Sequence, residues 1–178
     1  ILSIVASPTY AEDHTLLMGT CAPATVKKQA RIAVWRSTNG GTNWRQITTQ
    51  VTSARWVDIA VPSGVFENPI EQAIMATGPY CLRPLRRAKD VWLSTTVDPS
   101  GANALSVVGV GEVDRGGLLF AATGTGIFRS IDAGRTWHPY MEGLVPQSFI
   151  SLAIMPSEQK SFLYALSLGG VLWKREIS

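Results

Sequence analysis

Short apolar runs, each bounded by Gly, Pro, Ser or Asn, follow one another along the whole chain. No stretch sustains the 3.6-residue period of an amphipathic helix. Three kinds of run recur four times in a fixed order. The first is Leu2-Ser3-Ile4-Val5-Ala6, Trp56-Val57-Asp58-Ile59-Ala60, Leu105-Ser106-Val107-Val108 and Ile150-Ser151-Leu152-Ala153-Ile154. The second is Leu16-Leu17-Met18-Gly19, Ala73-Ile74-Met75-Ala76, Leu118-Leu119-Phe120-Ala121 and Phe162-Leu163-Tyr164-Ala165. The third is Val34-Trp35-Arg36-Ser37, Val91-Trp92-Leu93-Ser94, Ile127-Phe128-Arg129-Ser130 and Val171-Leu172-Trp173-Lys174. Successive copies lie about 45 residues apart, the length of a four-stranded propeller blade. With the strands of each unit labelled A to D, these runs are A, B and C. The pattern predicts an all-β chain, a β-propeller of four-stranded antiparallel blades at about residues 1–50, 51–103, 104–146 and 147–178. The last blade lacks room for its D strand, so an incomplete ring or a fragment is expected, with open edges that invite pairing. Blade 2 is irregular: 23 residues separate Ser94 from Leu118, against 35 from Ser37 to Ala73, so one of its outer strands should be short.

One segment after a C strand carries a turn signature, Ser130-Ile131-Asp132-Ala133-Gly134-Arg135-Thr136-Trp137. Ser130 and Asp132 can accept hydrogen bonds from turn N–H groups, Gly134 can take positive φ, and Trp137 anchors the next strand. A second copy is Ser37-Thr38-Asn39-Gly40-Gly41-Thr42-Asn43-Trp44, in which Asn39 replaces Asp and Asn43 replaces Thr. The stretch Ser94 to Gly101 is at most a remnant. This pattern resembles the Asp-box, or BNR repeat, of sialidase-like, photosystem-assembly-factor-like and sortilin-like propellers. The resemblance implies that Ser37, Asn39, Gly41 and Trp44, with Ser130, Asp132, Gly134, Thr136 and Trp137, brace hairpins between strands C and D. It implies architecture and says little about chemistry.

At 178 residues and 46% hydrophobic content the chain can bury a core, and no apolar run reaches the 18 residues of a membrane span. The opening Ile1-Leu2-Ser3-Ile4 reads as a strand rather than the end of a signal peptide, because Ile150-Ser151-Leu152 repeats it inside the chain. The net charge of +3 conceals an asymmetry. In a meander, A–B and C–D loops share one face, whereas B–C loops and D–A links share the other. Glu12, Asp13, Glu67, Glu71, Glu112, Asp114 and Glu158, seven of the 13 acids, fall in A–B segments. The longest B–C segments, 21–30 and 78–89, hold Lys27, Lys28, Arg83, Arg86, Arg87 and Lys89, with Arg31 just beyond the first, and 14–57 contains no acid. These cations are the candidate partner-binding rim, suited to an acidic protein surface or anionic lipid headgroups, with arginines able to bind carboxylates bidentately. Solvated hairpin tips explain them equally well. Tyr80 is the one aromatic in these hairpins, which disfavours nucleic acid.

Cys21 and Cys81 occupy similar places in adjacent blades, which makes them a candidate disulfide and would place the protein outside the cytosol. With His14 and His138 far apart, no metal site is expected, and nothing calls for a cofactor. The sialidase motif set is missing: Leu82-Arg83-Pro84-Leu85 has the wrong order, and Tyr140 and Glu142 follow a box toward the blade's outer edge. Asp58, on an inner strand, is the acid to watch. The expected function is a non-catalytic interaction platform, an accessory or scaffolding subunit of an extracytoplasmic assembly of protein chains. The alternative is a piece of a glycan-binding or glycoside-hydrolysing propeller, with Trp35, Trp92 and Trp173 stacking on sugars or, more simply, anchoring the core.

Overall fold

Strand runs this short are stable only when several pair and bury a face, and here they form antiparallel meanders. The computed structural model describes residues 2–51, 54–62, 72–84, 92–111, 117–155 and 160–177. Blade 1 contains β1 (Ser3–Ala6), β2 (Leu16–Ala22), β3 (Arg31–Ser37) and β4 (Arg45–Val51), paired in chain order. Blade 2 contains β5 (Asp58–Ala60), β6 (Ile74–Thr77), β7 (Tyr80–Pro84) and β8 (Trp92–Thr96). Blade 3 contains β9 (Ala104–Val110), β10 (Leu118–Thr123), β11 (Ile127–Ser130) and β12 (His138–Pro139). Blade 4 is a three-stranded sheet of β13 (Phe149–Met155), β14 (Ser161–Ser167) and β15 (Leu172–Ile177). The one helix among the described residues is a single turn, α1 (Tyr10–Asp13), in the A–B loop of blade 1. Asp13 holds that loop, accepting from Ser7 Oγ at 2.6 Å, Thr9 Oγ1 at 2.9 Å and the Thr15 N–H at 2.7 Å.

Blade 2 departs from the sequence expectation. Its third strand is Tyr80–Pro84, reached through the two-residue turn Gly78-Pro79, with Gly78 at φ 56°. A two-residue hairpin needs such left-handed backbone, which glycine supplies without a Cβ clash. Trp92–Thr96, expected as strand C, is the D strand. The short interval before Leu118 is thereby explained: it holds the D–A link and one A strand.

The core lies between the sheets, because alternate residues of every strand face the preceding or the following blade. Facing backward, the cross-strand rows Ile59-Met75-Leu82, Val107-Ala121-Phe128 and Leu152-Ala165-Trp173 occupy equivalent places in blades 2, 3 and 4. Facing forward, the rows are Ser3-Gly19-Val34, Asp58-Ala76-Cys81 and Ser106-Ala122-Ile127. Each interblade cluster joins one forward and one backward set: Leu17, Ile32 and Val34 against Val57, Ile59 and Met75, for example. The middle forward position is Gly or Ala for a steric reason. A Cβ on Gly19 would lie 2.7 Å from Val57 Cγ1 and 3.2 Å from Ile59 Cδ1.

The inner strands are stapled by one repeated hydrogen bond. The N–H that follows the polar inner residue donates to that polar residue in the blade before. Ile59 N reaches Ser3 Oγ at 3.1 Å, Val107 N reaches Asp58 Oδ2 at 3.0 Å, and Leu152 N reaches Ser106 Oγ at 3.2 Å. Asp58 also accepts from Ser3 Oγ at 3.2 Å and Ser106 Oγ at 3.0 Å, so one carboxylate ties three blades. Replacing it with Ala leaves the Val107 N–H unpaired and should cost roughly 1–3 kcal/mol. Asp58→Ser, which installs the residue of the neighbouring blades, should lose clearly less. Thermal unfolding of both variants checks this ordering, with the Ala variant down by roughly 3–10 °C.

Candidate functional site

The B–C hairpin of blade 1 projects from the sheet end that also carries the D–A links. Its tip is closed by Thr25 and Lys28, whose N–H groups and carbonyls pair at 2.8 and 3.3 Å. Lys27, Lys28 and Arg31 are exposed there, and Val26 beside them is fully exposed. The hairpin overhangs an apolar cleft of about 590 Å³ between blades 1 and 2, lined by Leu2, Cys21, Pro23, Ala24, Ala30, Ala54 and Arg55. Arg55, on the link from blade 1 to blade 2, is exposed at this cleft. Sequence reading passed over it because it lies outside both hairpins, although the acid-free span 14–57 includes it.

Arg83 does not join this group. Arg83 sits on β7 and faces blade 3, where its Cδ comes within 3.9 Å of a Cβ placed on Gly134. Its Nε is buried and, among the described residues, has no hydrogen-bond partner. Arg86, Arg87 and Lys89 lie outside the described residues. Among the described residues the candidate rim is Lys27, Lys28 and Arg31 with Arg55. Arg83 belongs to a different series, a cation at one position of the third strand in every blade: Arg36, Arg83, Arg129 and Lys174. Arg129 stands 5.2 Å over Tyr140 at the blade 3–4 junction, and Lys174 stands 4.1 Å over Phe162 and 5.6 Å over Tyr164. The misassigned strand C of blade 2 hid this repeat.

The two box-like turns are wired alike. In blade 3 Ser130 Oγ donates to Asp132 Oδ1 at 2.8 Å and accepts from Gly134 N at 2.8 Å, while Thr136 N donates to Asp132 Oδ1 at 2.9 Å. In blade 1 Ser37 Oγ donates to Asn39 Oδ1 at 2.9 Å and accepts from Gly41 N at 2.9 Å, and Asn43 N donates to Asn39 Oδ1 at 2.9 Å. Gly41 and Gly134 take φ of 93° and 75°. Trp44 packs beside Gly41, whereas Trp137 is buried in the blade 2–3 core with its Nε1 3.3 Å from Thr95 Oγ1. Burial pushes the Asp132 carboxyl up, but hydrogen bonds from Thr136, Ser130 and Arg135 outweigh it and bring the pKa down to about 2.

The cysteines are free thiols, contrary to the disulfide expectation. Both are on forward faces, so Cys21 packs toward blade 2 and Cys81 toward blade 3, with the blade 2 sheet between them. Leu82, one residue on, faces blade 1. Cys21 Sγ donates to the Ala54 carbonyl at 3.5 Å. Burial pushes the Cys81 thiol up to about 12, against a smaller opposing pull from Arg83. The bridge therefore no longer argues for an oxidising compartment.

A second recess, of about 390 Å³, opens between blades 3 and 4 at the end that carries the box turn. Tyr140 lies in it between Arg129 and Arg175, whose guanidiniums stand 5.2 and 4.6 Å from its ring centre. Glu142 forms an ion pair with Arg175. Tyr140 also meets Phe120 and Trp173 at ring-centre distances of 5.3 and 6.5 Å. Among the described residues no group of three or more His, Cys, Asp or Glu side chains is placed to hold a metal ion. Nor, among them, is any helix long and apolar enough to cross a membrane.

Meandering four-stranded sheets stacked through such cores are the blades of a β-propeller, and solved structures share this fold. No known family profile and no curated protein matches the sequence. XC5397 from Xanthomonas campestris, a gluconolactonase important in glucose secondary metabolic pathways, superposes with a TM-score of 0.58 at 12% identity. That match covers 93% of this chain and 55% of the other. BBS1N, solved in complex with ARL6DN, reaches 0.45 at 12% identity over 90% of this chain and 54% of that one. The chain thus spans about half the length of each. At such identity the likeness to the first of these speaks for the fold alone.

Two outcomes are expected from this geometry. In the native protein Cys21 should react with a thiol-specific disulfide reagent much faster than Cys81, and both should react fully once it is unfolded. The stabilisation held by Asp132 is present above the ordinary carboxylate pKa and is lost as pH falls toward about 2. Asp132→Asn copies the turn of blade 1, so it should keep the fold and flatten the pH dependence of stability between about pH 4 and pH 2. Denaturant unfolding at stepped pH measures it.

Proposed function

We infer that this chain is a non-catalytic interaction platform of the Asp-box propeller type, which holds another protein chain at the cleft between blades 1 and 2. The observation that carries this reading is the pairing of an apolar floor with a cationic surround on one face. Lys27, Lys28, Arg31 and Arg55 attract acidic groups, and the cleft and Val26 offer apolar area for an anchor. The partner chemistry that fits is an acidic segment bearing an apolar side chain. The two box-like turns support the Asp-box assignment through their common wiring. The proposal does not depend on the compartment.

The inner acid supports a structural reading over a catalytic one. Asp58 spends both carboxylate oxygens on hydrogen bonds from neighbouring blades. Tyr140 and Glu142 are tied to arginines at the box end of the molecule. The tryptophans offered as sugar platforms are engaged elsewhere: Trp92 and Trp173 in interblade packing, and Trp35 through its Nε1 bond to Thr20 Oγ1 at 3.0 Å.

A fluorescent Asp/Glu-rich peptide carrying one Phe, titrated at low salt, tests the reading. Reversing Lys27, Lys28, Arg31 and Arg55 to Glu together should weaken its binding at least tenfold, and added salt should do likewise. Unchanged affinity would sink the cleft as the docking surface, and binding to phosphatidylserine vesicles in preference to the peptide would replace a protein partner with a membrane. Hydrolysis of a lactone or aryl-glycoside panel that disappears in Asp58→Asn would overturn the non-catalytic reading.

A further inference from the structure

The junction of blades 3 and 4 carries two arginines where the other two internal junctions carry one. Arg36, Arg83 and Arg129 face forward from the third strands of blades 1, 2 and 3. The third-strand residue two places beyond the backward row is Pro84 in blade 2 and Ser130 in blade 3, neither of them charged. In blade 4 the same place holds Arg175, two residues after Trp173. Ser130 there is fully buried and braces a box turn, so blade 4 has a cation where blade 3 has a brace. Arg129 and Arg175 consequently line one recess, and both stand over the Tyr140 ring, at 5.2 and 4.6 Å from its centre. Two like charges brought into one recess repel each other, and an anion between them relieves it.

The acids of the recess do not balance this charge. Glu176 pairs with Lys160 at 3.0 Å, and Glu142 pairs with Arg175. Arg175 Nη1 also donates to the Glu142 carbonyl at 3.4 Å. Among the described residues Arg129 has no hydrogen bond and no ion pair, only the Tyr140 ring. Glu142 stands on the link into blade 4 with its side chain 84% exposed, and an ion pair so open to water holds weakly. A carboxylate thus already occupies Arg175, loosely, beside a second guanidinium that has none. We propose that the recess binds a small aromatic carboxylate, which displaces Glu142 from Arg175 and shares its charge with Arg129. The planar guanidinium fork matches a carboxylate, and Leu118, Tyr140 and Met141 offer the ring an apolar wall. A volume of about 390 Å³ accommodates one ring with its carboxylate and little more. Glu142 then acts as an internal competitor that every ligand must replace. This site lies at the box-turn end of the blade 3–4 junction, and the cleft between blades 1 and 2 takes no part in it.

Titration of the full chain with benzoate at low salt, followed by calorimetry, tests the site, with benzamide and inorganic sulfate as controls. Benzoate should bind more tightly than either, because benzamide lacks the charge and sulfate lacks the ring. Arg129→Gln and Arg175→Gln should each weaken benzoate by at least about tenfold, the loss of a charged hydrogen bond. Glu142→Gln removes an acid yet leaves an exposed side chain of the same size, so it should tighten benzoate about threefold. That gain is the signature of displacement, since a merely structural Glu142 would give none. Binding of the acidic peptide at the blade 1–2 cleft should be unchanged in Arg129→Gln, which separates the two sites. No binding of benzoate to either the wild-type chain or Glu142→Gln would overturn the proposal, as would full affinity in Arg129→Gln. Sulfate bound as tightly as benzoate would overturn the aromatic carboxylate as the ligand, and benzamide bound as tightly would overturn the role of the arginines.

Discussion

Everything in this molecule depends on the two-faced character of its strands. A residue on a propeller strand looks either at the blade before or at the blade after, and a shift of one position changes which core it enters. Ile74 and Met75 are adjacent on β6 yet belong to different interblade cores. Stability is therefore distributed over the junctions rather than held in one centre, and each junction needs a forward and a backward row that fit. Gly19, Ala76 and Ala122 are small so that the next blade can come close, and the aliphatic or aromatic rows of that blade fill the space they leave.

Polar groups follow the same geometry. The inner strands of a propeller are edge strands, and unpaired N–H groups along an edge are costly to bury. Here those of Ile59, Val107 and Leu152 end on Ser3, Asp58 and Ser106. A carboxylate on an inner strand, which invites a catalytic reading, is thereby spent on architecture. The box-like turns do comparable work at the other end of the strands, where Ser130 and Asp132 satisfy turn N–H groups and leave Trp137 positioned against blade 2. With braces at both places, the B–C hairpin of blade 1 and the link carrying Arg55 are left to present cations around an apolar cleft.

The departure in blade 2 comes from one displaced strand. Val91-Trp92-Leu93-Ser94 looks like the Trp-bearing third strands of the other blades, yet the short run Tyr80–Pro84 fills that place because Gly78-Pro79 turns the chain at once. That displacement concealed Arg83 as a member of a series with Arg36 and Arg129, and Lys174 was concealed by a one-residue offset in blade 4, where Trp173 rather than Leu172 matches Trp35. The cysteines failed for a related reason. Similar positions in adjacent hairpins do not bring side chains together when each side chain faces forward into a different junction.

The amino-acid sequence by itself determined the elements and their repetition. Run length, spacing and turn chemistry are local properties, so the four units, the two braced turns and the three-stranded fourth blade were legible before any coordinates. Register and facing were not, because they are set by which blade stands on each side, and that choice is made by packing between residues far apart in the chain. Only the tertiary structure could place Cys21 and Cys81 on opposite sides of a sheet, turn Asp58 into a tie between three blades, and join Arg55 to Lys27, Lys28 and Arg31 around one cleft.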